Sequence, residues 1–332
     1  MSFLILLATW LQNEHLLHKR PPAEDIDVVV ISDLNGSYGS TTYGRWVSSS
    51  VDAIIKESPD LVLITGDMVA GQKSGLPYME MWQAFHKTVT MPLEKASIPL
   101  AITPGNHDAS LYPKFEEERR IFGEVWQEHV PDLQFIDNEH FPYRYAFTLE
   151  DTLFVSLDDT RTGPLGAEQN RWLDKILETE AQTKIVFGHL PLYPFSQGRE
   201  VQIIGDTKLE QLLNKHQVDM FLSGHHHAYY PGKRNAMHMV SSPCLGAGPR
   251  KLINSAKKSP RGLVRFTIRN GEVTSLNGWT GSDFASMIDR KELPEVVGTP
   301  KYPIWRDDIY DSRIAPVLRT FVNIVRTLPF FG

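Results

Sequence analysis

The stretch FLSGHHH, residues 221–227, places three adjacent histidines directly after an apolar run. That run, residues 218–222, is typical of a buried β-strand, and α/β sheets place ligand sites beyond the carboxyl ends of such strands. If the chain stays extended, the side chains of His225 and His227 point one way and that of His226 the other. Neutral imidazole is the commonest metal ligand among side chains. The stretch therefore favours a metal site, with an exposed polar turn as the alternative.

Four other short apolar runs also end in polar residues that are able to bind metals. Each run is β-rich and is closed by turn residues, which is the pattern of a strand followed by a loop. The runs and the residues beyond them are Ile26–Ile31 with Asp33 and Asn35, Leu61–Ile64 with Asp67, 99–102 with Asn106, His107 and Asp108, and 185–187 with His189. Together the five ends predict one shared site. Because the set holds carboxylates, amides and imidazoles but no cysteine, it suits Mn, Fe, Zn or Mg better than a thiolate-bound metal.

Taken in order, the motifs Asp-x-Asn, Gly-Asp, Gly-Asn-His-Asp, Gly-His and Gly-His-x-His resemble those of the calcineurin-like metallophosphoesterase superfamily. That group includes purple acid phosphatases and many cyclic-nucleotide and phospholipid diesterases. The resemblance covers about residues 25–278. It implies an α/β fold, a four-layer α/β/β/α sandwich of two mixed β-sheets flanked by helices, with the metal site at the C-terminal ends of the strands.

The resemblance also implies two divalent metal ions, Mn, Fe or Zn, and a role for each motif residue. The implied ligands are Asp33, Asn35, Asp67 and His227 for one ion, and Asp67, Asn106, His189 and His225 for the other. Asp67 would bridge the two ions, and a metal-bound hydroxide would attack phosphorus in line. His107 would protonate the leaving oxygen as general acid, with Asp108 holding its ring. The implied activity is phosphoester hydrolysis, with phosphodiesters favoured over phosphomonoesters.

One position departs from the family pattern. The superfamily usually has Asp-x-His at its first motif, whereas this chain has Asp33, Leu34 and Asn35. Purple acid phosphatases also lack that histidine, but they have a tyrosine three residues after the Gly-Asp aspartate, where this chain has Ala70. The amide oxygen of Asn35 is a weaker donor than imidazole, so one metal site is expected to be weaker. The departure leaves a second hypothesis open, a pseudoenzyme that binds a metal or phosphorylated ligand or scaffolds a partner.

Three residues outside the ligand set are candidates for substrate contacts. Tyr43 belongs to a loop rich in glycine and hydroxyl groups that follows the first motif. Arg161 is a candidate for binding phosphate or another anion, with an ion pair to Asp158 or Asp159 as the alternative. His226 is assigned to the surroundings of the metal or to solvent rather than to a metal ion.

Length and composition bound the class of protein. The chain has 332 residues, enough for a large core, and its net charge of −6 without a basic tract does not indicate nucleic acid as a bulk partner. Its single cysteine, Cys244, gives no disulfide framework. The expected substrate is a phosphorylated small molecule or lipid. The predicted division is an apolar N-terminal segment (1–22), a catalytic domain (23–280) and a C-terminal extension (281–332).

Both ends of the chain are apolar. Residues 3–11, FLILLATWL, are too few to span a bilayer and lack the basic flank of a signal peptide. An export signal, a short membrane-surface anchor and a helix packed on the body all stay open. Residues 314–330 predict an amphipathic helix, for which packing on the domain is favoured over membrane or lipid binding. The two ends motivate a third hypothesis, a membrane-peripheral hydrolase of phospholipids or lipid-linked phosphates, and leave the compartment open between cytoplasm and export or membrane association.

Overall fold

Two mixed β-sheets form the centre of the molecule. The computed structural model describes residues 25–246 and 248–317. Within these residues the first sheet has six strands, in the spatial order β13 (Ser286–Met287), β12 (Glu272–Thr280), β11 (Leu263–Arg269), β1 (Ile26–Ile31), β2 (Leu61–Ile64) and β3 (Leu100–Ile102). The second sheet has nine, in the spatial order β14 (Val296–Gly298), β15 (Pro303–Arg306), β9 (Tyr230–Arg234), β10 (Met237–Ser241), β8 (Met220–Ser223), β7 (Thr183–Phe187), β6 (Thr152–Ser156), β5 (Tyr145–Leu149) and β4 (Gln134–Asp137).

Helices pack against these sheets through apolar stripes. In the described part of the chain the α-helices are α1 (Arg45–Glu57), α2 (Tyr78–Phe85), α3 (Met91–Lys95), α4 (Asn106–Ala109), α5 (Glu116–Glu128), α6 (Ala167–Ile176), α7 (Thr207–Lys215) and α8 (Asp307–Ile309). Short π-helical segments span His86–Thr90 and Tyr310–Ile314, and 3₁₀ turns span Pro113–Phe115 and Arg290–Glu292. In α1 the buried residues Val47, Val51 and Ile54 recur at helical spacing, so one face of the helix turns to the core.

Alternate side chains of the second sheet enter two separate cores. On β6, Phe154 packs between the two sheets, whereas its neighbours Leu153 and Val155 pack with Leu173 of α6 and Leu209 of α7. Successive side chains of a strand point to opposite faces, so this sheet is covered on both sides. The arrangement confirms the predicted four-layer α/β/β/α sandwich.

The carboxyl ends of the central strands of both sheets come together. Strands β1, β2 and β3 run parallel in the first sheet, and β6, β7 and β8 run parallel in the second. The N–H of Asp33 donates to the carbonyl of Gly66 (3.1 Å), which joins the turns after β1 and β2. The N–H of Leu245 donates to the carbonyl of Ser32 (3.1 Å) and joins the second sheet to the first. These bonds hold the strand ends in the positions from which the predicted ligands project.

The segment YPGKR, residues 230–234, is a strand although it contains Pro231 and Gly232, a pair that is typical of turns. It is β9, which lies between β10 and β15. A Cβ on Gly232 would lie 2.4 Å from Ile304 Cγ2 and 2.6 Å from the carbonyl of Met239. The glycine is therefore required for close packing against a neighbouring strand and does not mark a turn.

The described part of the predicted C-terminal extension belongs to both sheets. Its first strand, β13, pairs with β12, and β15 pairs with β9. Arg306 at the end of β15 is buried, forms an ion pair with Asp308 (2.6 Å) and donates to the carbonyls of Arg290 and Leu293. Residues 281–306 thus complete the sandwich instead of forming a separate body.

Several predictions concern the ends of the chain, which the structure covers only in part. The N-terminal apolar segment, 1–22, and the predicted terminal helix from residue 318 onward lie outside the described residues. Among residues 25–246 and 248–317, no helix combines the length and the apolar character that crossing a bilayer requires.

A stacked histidine pair, with His86 buried and His129 half-buried, joins the π-helical segment to the end of α5. His86 is 6% exposed, and its ring stacks on that of His129 with the centroids 3.8 Å apart. Nδ1 of His86 contacts Thr90 Oγ1 at 3.0 Å, whereas Nε2 is buried without a partner among the described residues. Burial, with the neighbouring His129, lowers the pKa of His86 to about 4.

We expect His86 to make the protein less stable as the pH falls. Between about pH 6.5 and pH 4 the unfolded chain binds a proton at this residue and the folded chain does not, so the free energy of unfolding decreases over that window. Wild type should lose about 1 kcal/mol more than His86→Leu between pH 7 and pH 5. Denaturant unfolding at the two pH values measures the difference, with His140→Leu as control. Equal losses in wild type and His86→Leu would contradict it.

Candidate metal centre

Three buried side chains from three strand ends meet at one point. Asp67 follows β2, His189 follows β7 and His225 follows β8, and one ligand atom from each lies within 4.8 Å of the other two. Nε2 of His189 is 3.3 Å from Oδ1 of Asp67 and 3.2 Å from Nδ1 of His225. Oδ1 of Asn106, at the start of α4, is 3.0 Å from the same Nε2. The structure thus brings together all four side chains that the sequence assigns to one ion.

The remaining candidate ligands form a second cluster on the other side of Asp67. Nε2 of His227 lies 3.0 Å from Oδ1 of Asp33, and Nδ2 of Asn35 lies 3.4 Å from Oδ2 of Asp67. Asp67 therefore turns one carboxylate oxygen toward His189 and the other toward Asn35. A carboxylate that faces two donor clusters has the arrangement of a bridging ligand.

The proton positions on the histidines leave bare nitrogens facing one another. Nδ1 of His189 donates to the carbonyl of Thr65 (2.8 Å), and Nε2 of His225 donates to Oε1 of Gln202 (3.0 Å). In the neutral rings, the nitrogens that face each other at 3.2 Å then both carry lone pairs. Two lone pairs at this distance repel unless a cation or a proton lies between them.

In the second cluster, too, lone pairs face one another without a proton between them. Nδ1 of His227 donates to the carbonyl of Gly248 (3.1 Å), so its Nε2 lone pair faces the Asp33 carboxylate. Oδ1 of Asp33 and Oδ1 of Asn35 are both buried without a hydrogen-bond donor in the described part of the chain. Buried polar atoms are nearly always satisfied. The oxygen and nitrogen donors therefore fit a pair of divalent cations.

Electrostatics point the same way. Burial disfavours protonation of His189, but the Asp67 carboxylate outweighs it and raises the pKa of His189 to about 10. His189 and His107 hold the pKa of Asp67 below its ordinary value, against the effect of burial. The centre thus stabilises positive charge. Bound metal cations would supply that charge in place of a proton on His189.

The backbone is strained at four of the candidate ligands. Asp33, Asp67, His225 and His227 have φ values of 50°, 55°, 60° and 50°, in the left-handed region that non-glycine residues seldom adopt. Such strain costs of order 1–3 kcal/mol per residue and is concentrated at functional sites. It also changes the sequence argument for the three histidines. The chain is not extended there. His225 and His227 nevertheless line a cleft above the two clusters, and His226 does not.

His226 anchors the loop that covers the site. Its ring is buried, its Nδ1 accepts the N–H groups of Phe195 (3.1 Å) and Ser196 (3.2 Å), and its Nε2 donates to the carbonyl of Gln202 (3.0 Å). Burial lowers the pKa of His226 to about 3. Both ring nitrogens are occupied, so the structure places His226 outside the substrate contacts that the sequence assigned to it. Tyr43 is also absent from the cleft lining, and its hydroxyl donates to the carbonyl of Met68 (2.8 Å).

His107 lines the cleft, but Asp108 does not hold its ring as the sequence predicts. Nδ1 of His107 contacts the carbonyl of Gly71 at 2.9 Å. The carboxylate of Asp108 instead accepts the backbone N–H groups of Gly105 (2.8 Å) and Val69 (2.9 Å). Asp108 therefore shapes the Asn106–Ala109 turn, and the carbonyl of Gly71 directs His107 so that Nε2 carries the second, exchangeable proton.

A cleft of about 700 Å³ opens above both clusters. Arg161 lies on its wall and does not form the alternative ion pair, because Asp158 pairs with Arg119 (2.5 Å) and Asp159 accepts the N–H of His189 (2.8 Å). Two further arginines, Arg199 and Arg250, also line the cleft. Neither of these two arginines lies in a motif, and Gln202 does not either. The sequence-based prediction therefore missed all three residues.

Comparison with known proteins places this site in a family. Residues 26–229 match the family model described as calcineurin-like phosphoesterase, which is more than half of the chain. The chain belongs to this family. The match confirms the resemblance read from the five motifs, and the paired donor clusters are the candidate metal centre of this domain.

Plant purple acid phosphatases are among the similar proteins. The chain is 24% identical over 265 residues to purple acid phosphatase 22 of Arabidopsis thaliana, covering 75% of this chain and 56% of that protein. It is 27% identical over 262 residues to purple acid phosphatase 18 of the same plant, with 76% and 51% covered. The chain spans about half the length of these relatives. The solved purple acid phosphatase PPD1 from yellow lupin seeds (Lupinus luteus) shares the fold, with a TM-score of 0.58 and 20% identity over 80% of this chain and 53% of that one.

We expect Gln202 to support metal binding through His225. Replacing it with leucine removes the acceptor that keeps the proton on Nε2 of His225 and its Nδ1 free for a metal. Gln202→Leu should lower the affinity for the ion assigned to Asp67, Asn106, His189 and His225 by roughly 10- to 100-fold, the usual effect of losing such an orienting contact. Metal titration followed by calorimetry measures it. Gln197→Leu, which loses only contacts to the carbonyls of Leu252 and Ser255, is the matched control. Unchanged affinity in Gln202→Leu would contradict the role.

Proposed function

We propose that the protein hydrolyses phosphoesters with two divalent cations held by the two donor clusters. The observation that carries the proposal is the position of Asp67, whose two carboxylate oxygens face separate clusters at the floor of one cleft. The cations, when bound, neutralise phosphate oxygens and lower the pKa of a water beside them. The predicted identities, Mn, Fe or Zn, are part of the proposal.

The residues of the chain supply positioning and a proton. His107 is half-buried at the cleft wall with its Nδ1 directed to Gly71, so its Nε2 is available to the oxygen that leaves phosphorus. An imidazolium that donates its proton as the bond breaks spares the formation of an unstable alkoxide. Thr65, Gln202 and Gly248 hold the three ligand histidines in the tautomers that a cation needs.

The preference for phosphodiesters over phosphomonoesters is the finer part of the proposal. The cleft volume of about 700 Å³ leaves space for substituents on both sides of a phosphorus atom at its floor. Matched aryl phosphodiester and phosphomonoester substrates, assayed with metal-stripped protein resupplied with Mn²⁺, measure the preference by the ratio of kcat/KM. The membrane-peripheral alternative and the compartment depend on the chain ends outside the described residues and stay predictions.

We expect His107→Ala to reduce kcat by ~10²-fold or more without loss of metal, in line with the contribution of a general acid. The loss should be large for an alkyl phosphate and small for a nitrophenyl phosphate, because nitrophenolate leaves without protonation. Steady-state kinetics on both substrates, with metal content by mass spectrometry, give the comparison. An equal loss on the two leaving groups would show that His107 does not protonate the leaving oxygen.

The pseudoenzyme alternative depends on Asn35. Whether Asn35 binds a cation helps to distinguish a pseudoenzyme from an active phosphoesterase. The Oδ1 atom of Asn35 is buried and without a donor while its Nδ2 faces Asp67, which is the orientation of an amide whose oxygen binds a cation. A protein that binds its metals and turns over no phosphoester would favour the pseudoenzyme.

We expect Asn35→His to tighten one of the two metal sites by roughly 10-fold, because imidazole is a stronger donor to these ions than an amide oxygen. Asn35→Ala should weaken the same site. Stepwise titration of stripped protein with Mn²⁺ resolves the two affinities. If neither substitution moves either affinity, Asn35 is not a ligand.

A further inference from the structure

The wall of the cleft carries three arginines that form no ion pair with a carboxylate of the described residues. Arg161, Arg199 and Arg250 all line it, and none forms an ion pair within residues 25–246 and 248–317. Outside the cleft, most arginines that are not exposed pair with a carboxylate, whereas Arg261 donates to the carbonyl of Gly246. The pairs include Arg119 with Asp158, Arg234 with Glu210, Arg290 with Asp307 and Arg306 with Asp308. The cleft thus holds three guanidinium groups without the carboxylate partner that most non-exposed arginines of the described residues have.

Two of the cleft arginines are close enough to repel each other. Burial and the neighbouring Arg250 guanidinium lower the pKa of Arg199. The Nε of Arg250 is buried and has no hydrogen-bond partner among the described residues. Like charges with an unsatisfied donor are unfavourable unless an anion binds between them. Among the described residues the Asp33 and Asp67 carboxylates partly offset the effect on the pKa of Arg199, but both are candidate metal ligands.

These arginines also lie next to the metal ligands. The guanidinium of Arg199 donates to Oε1 of Gln202, the same atom that accepts from Nε2 of His225. The backbone N–H of Arg250 donates to the carbonyl of His227 (3.2 Å). Arg199 is thus separated from a ligand ring by one shared oxygen, and Arg250 is tied to the backbone of another ligand. An anion held by them would lie in the same cleft as a phosphate on the cations.

We propose that Arg161, Arg199 and Arg250 bind a second phosphate group of the substrate, one carried by the leaving group. A guanidinium group pairs with phosphate through two parallel hydrogen bonds. A phosphate dianion carries more charge than a carboxylate and is therefore the better partner for several guanidinium groups. The inference rests on the proposed function, because the first phosphate is the one placed on the cations. In the reaction, the oxygen of water bonds to phosphorus, the ester P–O bond breaks and the leaving oxygen takes the His107 proton, while the proton that water releases goes to solvent, from which His107 is reprotonated. The phosphorylated leaving group then departs from the arginines.

A binding experiment on the full-length, metal-loaded protein tests this without turnover. Butane-1,4-diphosphonate and butylphosphonate are non-hydrolysable and differ only in the second anionic group. We expect wild type to bind the diphosphonate at least ~10-fold more tightly, because hydrogen bonds between charged groups are stronger than neutral ones. Arg250→Gln and Arg199→Gln should bring the ratio of the two affinities close to one. Arg171→Gln, an exposed arginine on α6 outside the cleft lining, should keep the wild-type ratio.

The outcomes separate this inference from the proposed function. Arg161→Gln, at an exposed position, provides a variant whose folding does not depend on a buried guanidinium. A ratio near one in wild type, or a ratio that all the cleft variants retain, overturns the second-phosphate site. If the affinity ratio falls to about one in the variants but wild type hydrolyses no ester, the second-phosphate site is supported and the proposed function is overturned. Hydrolysis of phenyl phosphate and of 1,4-phenylene bisphosphate with equal kcat/KM overturns the site and leaves the proposed function in place.

Discussion

The side chain and backbone of Asp67 join more of the site than any other residue described above. Its carbonyl accepts the N–H groups of Leu34 (2.9 Å) and Asn35 (3.1 Å), which fixes the turn after β1. Its Oδ1 accepts the N–H of His107 (2.9 Å) and so sets the start of α4 after β3. A Cβ on Gly105 would lie 2.2 Å from that same oxygen, so the turn approaches Asp67 as closely as a glycine permits. The left-handed backbone of Asp67 is the strain that this convergence requires.

From this constraint the layout of the sandwich follows. Parallel strands in each sheet bring their carboxyl ends to one side, and the two sheets meet where the chain after β10 bonds to the chain after β1. The first sheet then contributes the carboxylates and amides, and the second contributes His189, His225 and His227. Oxygen donors and imidazoles thus arrive from opposite sheets. Neither sheet alone holds a complete set of ligands.

The strand ends were predictable because their signal is local. An apolar run followed by a glycine turn and a ligand residue places β1, β2, β7 and β8 within about two residues of their observed bounds. The features that were missed depend on tertiary contacts. Gly232 is a packing glycine only because Ile304 lies against it, and Asp108 binds amides of Gly105 and Val69 instead of the His107 ring. The positions of Arg199 and Arg250 depend on loops held by His226 and by His227, and no short motif encodes such contacts.

Charge balance links the metal centre to the wall of the cleft. Two carboxylates, Asp33 and Asp67, cannot neutralise two divalent cations, and the amides Asn35 and Asn106 add no charge. The arginines add further positive charge to the same cleft instead of offsetting it. In a partly desolvated cleft such an excess is stabilised chiefly by an anionic ligand, since screening by water is reduced there. A substrate with a single phosphate leaves part of this positive charge uncompensated, and one with two phosphates compensates more of it. This charge excess is the physical basis of the proposed substrate with two phosphates.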